Sequence, residues 1–175
     1  MSLLIDARQA LENHMGGVCR VTRGLIAALF SCSQESVTLL TTGRHKPDWS
    51  CLLREHQDQE SFLKTIEQHT HHLSLPNKLW STLTLLRLAS LDQIHATSNP
   101  VLFLPNIGFI GKPKIPYALL VHDLSFLVEP TWYSRRAHFW HKAVHAKELI
   151  QKASHLFAVS EFTKRDLVSK LDIDP

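Results

Sequence analysis

The chain of 175 residues carries 44% hydrophobic and 20% charged side chains, with 19 Lys and Arg against 16 Asp and Glu for a net charge of +3. That balance excludes disorder, collagen and coiled coil, and the length suits one domain able to bury roughly two-thirds of its unfolded surface without disulfides or metal. No apolar run approaches the ~18 to 20 residues that span a bilayer, and residues 1–8 lack a basic region followed by an apolar leader, so neither membrane crossing nor export is expected.

In chain order, short apolar runs alternate with stretches of helical spacing, the pattern of strand-helix units around a mostly parallel sheet. Leu3–Ala7 reads as the first strand, and Val18–Phe30, with apolar residues at 18, 21, 25, 28 and 29, as the first helix. Val37–Thr41 is a second strand, Gln59–Gln68 a helix, His72–Leu75 a strand, and Asn77–Ala89 a helix that starts just after Pro76. Gln93–Ala96 is the next predicted strand. Residues 99–116 hold four prolines and two glycines and read as an irregular, functional connection. Tyr117–His122 is a strand, Ser134–Lys152 the longest helix with Ser134 as N-cap, Leu156–Val159 the sixth strand, and Glu161–Lys170 a closing helix capped by Ser160. The expected fold class is therefore α/β, a Rossmann-like doubly wound sheet.

Cys19, Cys32 and Cys51 form an odd set without C-x-x-C spacing, which fits reduced, structural thiols of a cytosolic protein better than a disulfide frame or a zinc site. The whole basic excess falls after residue 111 and is too small for a dedicated nucleic-acid binder, so no nucleic-acid partner is expected, although protonation of some of the 12 histidines would raise it.

Four signals could carry chemistry. Gly16-Gly17-Val18-Cys19-Arg20 lies between the first strand and the first helix, where a helix N-terminus offers free N–H groups to a phosphate. Two glycines there also fit a plain turn with positive φ. A nicotinamide site is excluded, because eight residues separate the strand from the glycines and no G-x-G follows it. Gly108-Phe109-Ile110-Gly111-Lys112 has too few residues between its glycines for a phosphate loop, and Pro113 stands where a magnesium-binding hydroxyl belongs.

The second signal is the apolar strand that ends in His122-Asp123, two polar groups at the carboxyl edge where α/β ligands bind. The same pair could merely cap a turn and satisfy a backbone carbonyl. Third, His138, His141 and His145 fall on one face of the predicted long helix, opposite a stripe of Phe139, Ala143, Ala146 and Ile150. Lacking a completing ligand, they read as a solvated basic face rather than zinc ligands, and with Arg135, Arg136, Lys142 and Lys152 this face could lie against anionic lipid. Fourth, Phe157-Ala158-Val159-Ser160-Glu161-Phe162-Thr163-Lys164-Arg165-Asp166-Leu167 runs a strand directly into a capped helix.

In this order the pieces resemble the N-terminal half of family 4 (group 1) glycosyltransferases, retaining enzymes of the GT-B type. The resemblance rests on the opening Leu-Ile-Asp-Ala-Arg strand, Gly-Gly-Val-Cys-Arg with Thr22-Arg23-Gly24-Leu25 behind it, Leu104-Pro105-Asn106, Val121-His122-Asp123-Leu124-Ser125-Phe126, and the Ser160-Glu161-Phe162-Thr163 helix start. It covers nearly the whole chain. It implies that Gly16 and Gly17 lie beside the donor diphosphate, that Arg20 and Asp123 help bind substrate, and that His122 reaches toward the transferred sugar as the catalytic residue. Ser160 and Glu161 would line the acceptor side. Cys19 stands where many relatives carry a third small residue. The implied co-substrate is a nucleotide-diphosphate sugar, with no tightly bound cofactor and no metal, and the acceptor is a glycan or lipid-linked sugar.

Such enzymes hold the nucleotide mainly in a second half through two glutamates separated by seven residues, a spacing this chain lacks. The chain is accordingly expected to be an N-terminal, acceptor-binding domain over residues 1–175, with its C-terminal donor-binding partner absent. The location expected is cytoplasmic, with peripheral contact at the inner membrane face. The rival expectations are a stand-alone Rossmann-like binding or scaffold module without catalysis, and a sugar-nucleotide epimerase of GT-B type.

Overall fold

The computed structural model describes residues 2–12, 16–32, 36–55 and 59–174. Six strands form one sheet: β1 (Ser2–Asp6), β2 (Ser36–Gly43), β3 (Thr70–Ser74), β4 (Pro100–Leu104), β5 (Tyr117–Val121) and β6 (His155–Ala158). Every pairing is parallel and the order is β3-β2-β1-β4-β5-β6. Among the helices are α1 (Gly17–Cys32), α2 (Gln59–Gln68), α3 (Asn77–Leu85), the single turn α4 (Ser125–Val128), α5 (Arg135–Ala143), α6 (Ala146–Lys152) and α7 (Glu161–Leu171). A doubly wound α/β sheet with the Rossmann-like order results, and its direction of winding reverses between β1 and β4.

Side-chain alternation divides the core between the two faces of the sheet. On one face Leu4, Leu102, Leu104, Leu119 and Val121 pack with Trp80 of α3, Leu149 and Ile150 of α6, and Leu167 and Leu171 of α7. On the other, Ile5, Val37 and Leu39 pack with Ile26 of α1, Ile66 of α2 and the buried Trp49. This second face thins over β4 to β6, where the register aligns Phe103 with Ala118 and Leu120 with Phe157, and Phe157 is 52% exposed.

Two sequence expectations fail here. Gln93–Ala96 is no strand: Ser90 and Gln93 close a capping box around a short 3-10 helix, Leu91–Gln93, and the chain then bends. The strand lies inside the supposed connection, because Pro100 occupies its first position, where a missing N–H is tolerated, and the apolar run 101–104 sits between two prolines. The second failure is the long helix Ser134–Lys152. Ser134 does cap its start, its Oγ accepting from the N–H of Ala137 at 3.3 Å. However, His145 takes the left-handed conformation (φ 53°), which ends α5 and starts α6, so α1 with 16 residues is longer. Residues 13–15, in the segment leading to the glycine pair, lie outside the described residues.

Candidate functional site at the carboxyl edge of the sheet

Because all strands run parallel, the residues that follow them share one edge. At the end of β1 the buried Asp6, 2% exposed, accepts from Nε and Nη2 of Arg8 at 2.8 and 2.7 Å and from the Arg8 N–H at 3.2 Å. Arg8 thereby holds a fixed direction: its Nη1 donates to the carbonyl of Phe109 at 2.9 Å, and its guanidinium lies 5.8 Å from the centre of the Trp80 ring. Trp80 Nε1 donates to the same Phe109 carbonyl at 2.9 Å, and Phe109 meets Trp140 edge to face. At the end of β2, Thr42 Oγ1 donates to Asn77 Oδ1 at 3.2 Å. These groups line an open pocket of about 440 Å³, with Gln9, Glu12 and Ser81 on its walls. Three aromatic faces among fixed donors and acceptors, beside the reversal point of the sheet, suit a polar ligand with apolar faces.

None of the sequence-predicted site residues lines that pocket. Gly16 and Gly17 stand exposed at the start of α1, and a Cβ on either would meet nothing within 4 Å among the described residues. Among the described glycines Gly111 alone has positive φ. Arg20 is exposed one turn on. Cys19 is buried with Sγ 3.9 Å from the carbonyls of Ala10 and Glu12, and Arg23 Nε donates to Ala10 at 2.8 Å, which pins the 3-10 helix Arg8–Leu11 to α1. Burial also raises the Cys51 thiol above its ordinary range.

The His122-Asp123 pair keeps its place just beyond β5. His122 Nε2 lies 2.9 Å from the carbonyl of Pro105, and the Asp123 carboxylate accepts from the N–H of Ser125 at 3.0 Å and from its hydroxyl. Both are thus engaged in hydrogen bonds of the kind that shape a joint. Ser160 caps α7, its Oγ accepting from the N–H of Thr163 at 3.1 Å. Thr163, which sequence reasoning missed, is buried and links the two motifs: its Oγ1 donates to the backbone carbonyl of His122 at 3.2 Å and lies 3.0 Å from Ser160 Oγ. Ser160 and Glu161 line a separate cavity of about 290 Å³ against Leu156, Lys164 and Leu167.

His138 and His141, one turn apart, share a face of α5 and line one cavity with His145, which lies beyond the end of that helix. His141 stacks on Phe126 (4.2 Å between centroids, 4° between planes) and burial lowers its basicity; His138 Nε2 is 2.7 Å from the Pro130 carbonyl; His145 sits in the break. Phe139, expected on the apolar side, is 69% exposed, because Trp140, Ala143 and Val144 fill the inward side of α5. Among the described residues no group of three or more His, Cys, Asp or Glu could hold a metal ion, and no helix is long and apolar enough to cross a membrane.

No family model matches the chain, and no curated protein and no solved structure matches it either.

Proposed function

We propose that the chain is the acceptor-side half of a retaining glycosyltransferase that moves a sugar from a nucleotide-diphosphate donor to a hydroxyl of a glycan or lipid-linked acceptor. The observation that carries the reading is the shared carboxyl edge: the Asp6-Arg8 pair, His122 and the cap of α7 each follow a parallel strand, and Arg8 lines an aromatic-walled pocket of about 440 Å³ there. A sugar presents C–H faces that pack on Trp80 or Trp140 and hydroxyls that bond to Arg8, Asn77 or Glu12, so this pocket would seat the acceptor.

The acceptor oxygen attacks the anomeric carbon as the bond from that carbon to the diphosphate oxygen breaks. The departing phosphate oxygen takes the acceptor's proton, and configuration is retained. His122 then positions and polarises rather than acting as base, with Gly16, Gly17 and Arg20 near the diphosphate and Asp123, Ser160 and Glu161 ordering the acceptor side. The protein would work in the cytoplasm, and lipid-linked acceptors would bring it to the inner membrane face.

The reading requires a second lobe. Micromolar binding needs about 8 kcal/mol, while a helix terminus gives an anion at most about 2 kcal/mol. The test supplies radiolabelled sugar nucleotides to the protein together with its second lobe and a membrane extract. Transfer of label into a glycan or lipid fraction is expected, and His122→Ala should slow it by more than roughly tenfold.

A stand-alone binding or scaffold module is the second reading. It is favoured by the hydrogen bonds that His122 and Asp123 make to Pro105 and Ser125, which would serve a purely architectural joint equally well. No transfer from any sugar nucleotide by a folded protein would decide for it.

A further inference from the structure

Between Glu129 and Glu148 the sequence contains no acidic residue, while Arg135, Arg136, Lys142 and Lys147 all fall in that interval. Glu148 is already engaged, accepting from Arg87 at 2.9 Å and Lys152 at 2.6 Å, whereas the four cations form no ion pair among the described residues. On the same stretch two aromatic rings stand in solvent: Trp132 is 75% exposed and Phe139 69% exposed. They do not belong to an unfinished core, because Trp140, His141 and Val144 already occupy the inward side of α5.

Helical spacing sets Arg135, Phe139 and Lys142 on one outward face, with Arg136 at its margin and Trp132 in the 3-10 turn just before the Ser134 cap. Beside this face opens a cavity of about 450 Å³, with Phe126 and Leu127 in its lining and Lys142, His145 and Lys147 at hand. Exposed aromatic rings among cations that form no ion pair with the described residues, on α5 and the turn before it, match the headgroup layer of a bilayer, where rings settle at the interface and cations meet lipid phosphates. A nucleic-acid track would instead need a long positive groove, and the chain's net charge is only +3.

We propose that Trp132 and Phe139, framed by Arg135, Arg136 and Lys142, dock the protein on an anionic bilayer surface. The docking is independent of sugar transfer: an inactive scaffold would dock as well, and a transferase that fails to dock would still transfer to soluble acceptors.

Sedimentation with phosphatidylcholine vesicles, with and without phosphatidylglycerol, tests it on the full chain. Binding is expected only with the anionic lipid. The double variant Trp132→Ser/Phe139→Ser, which keeps every charge, should lose more than about tenfold in partitioning, and Arg135→Gln/Arg136→Gln about thirtyfold, near fivefold per cation. Both doubles alter exposed positions, so thermal melts equal to the parent's are expected. Brominated phosphatidylcholine mixed into the anionic vesicles should quench tryptophan emission in the parent and much less in Trp132→Phe. Equal sedimentation with and without phosphatidylglycerol, unchanged binding of both doubles, or quenching unaltered in Trp132→Phe would each overturn the proposal. So would displacement from vesicles by a mixed-sequence single-stranded RNA that binds through the same residues.

Discussion

At Gly111 the backbone takes φ +77°, and a Cβ there would stand 2.1 Å from the carbonyl oxygen of Ala89. A left-handed side chain costs about 1 to 2 kcal/mol, and a clash with backbone is not relieved by a rotamer change. Gly111→Ala should therefore lower stability by more than about 2 kcal/mol, read as a fall in the urea midpoint at constant slope. Gly17→Ala provides the contrast. Among the described residues nothing lies within 4 Å of its Cβ position, and alanine favours a helix over glycine by about 0.5 to 1 kcal/mol, so stability should hold or rise. If the diphosphate approaches this backbone, transfer by the two-lobed enzyme should nonetheless drop; unchanged transfer would remove the phosphate role from the pair.

Tyr117 gives a second prediction at the scale of one residue. It is buried, its hydroxyl donates to the Leu149 carbonyl at 2.7 Å, and burial, with Glu148 nearby, pushes its pKa from 10 up to about 12. A raised folded-state value means that the unfolded chain loses its proton first as pH climbs. The stabilisation is complete below pH 10 and is lost between pH 10 and about 12, on the order of 2 kcal/mol in all. Tyr117→Phe should flatten this alkaline limb in denaturation curves, at the expense of about 1 kcal/mol below pH 10 for the missing hydrogen bond. A limb of equal steepness in the variant would assign the loss to other groups.

Elements are joined in this fold by small hydrogen-bonded devices. Ser160 caps α7, and Thr163 one turn on reaches back to the His122 carbonyl, so the rim of β5 and the start of α7 are tied together. Thr163→Val keeps the volume but leaves that part-buried carbonyl without its donor, and should cost about 1 kcal/mol in a chemical melt. Ser160→Ala should cost about 1 kcal/mol through the lost cap. If His122 acts in transfer, Thr163→Val should also slow turnover more than Ser134→Ala, an N-cap loss remote from that carbonyl. Helix spacing revealed these two caps because a cap is local, written in residues three apart. The His122 link joins residues 41 apart in the chain, and no periodicity reports it.

For the whole molecule, the order β3-β2-β1-β4-β5-β6 aligns the carboxyl ends of β1 and β4 at the winding reversal, and there the pocket with Arg8, Trp80 and Phe109 forms. Its walls come from the ends of β1 and β2, from α3, from the loop after β4 and from α5, so it exists only when five separate segments are assembled. As one lobe of a cleft, the chain should bind sugar nucleotides with dissociation constants weaker than roughly ten micromolar in calorimetry. Tighter binding would mean that the chain holds a complete donor site and that the two-lobe reading fails.

Strand and helix periods were local enough for the sequence to determine five of the six strands, the extent of α2, the caps at Ser134 and Ser160, and the α/β class. The strand that begins at Pro100 and ends before Pro105 escaped, because proline punctuation weakens a strand signal that its pairing with β1 restores. The break at His145 escaped too, since a left-handed residue other than glycine leaves no mark in hydrophobic spacing. Tertiary structure alone decided which residues share a pocket and which aromatic rings face water. Arg8, Trp80 and Trp140 meet through sheet order and helix docking, and Phe139 points outward because Trp140 and Val144 have already filled the space beneath α5. These are relations between distant segments, fixed by the competition of side chains for one core, and periodicity within a single segment does not encode them.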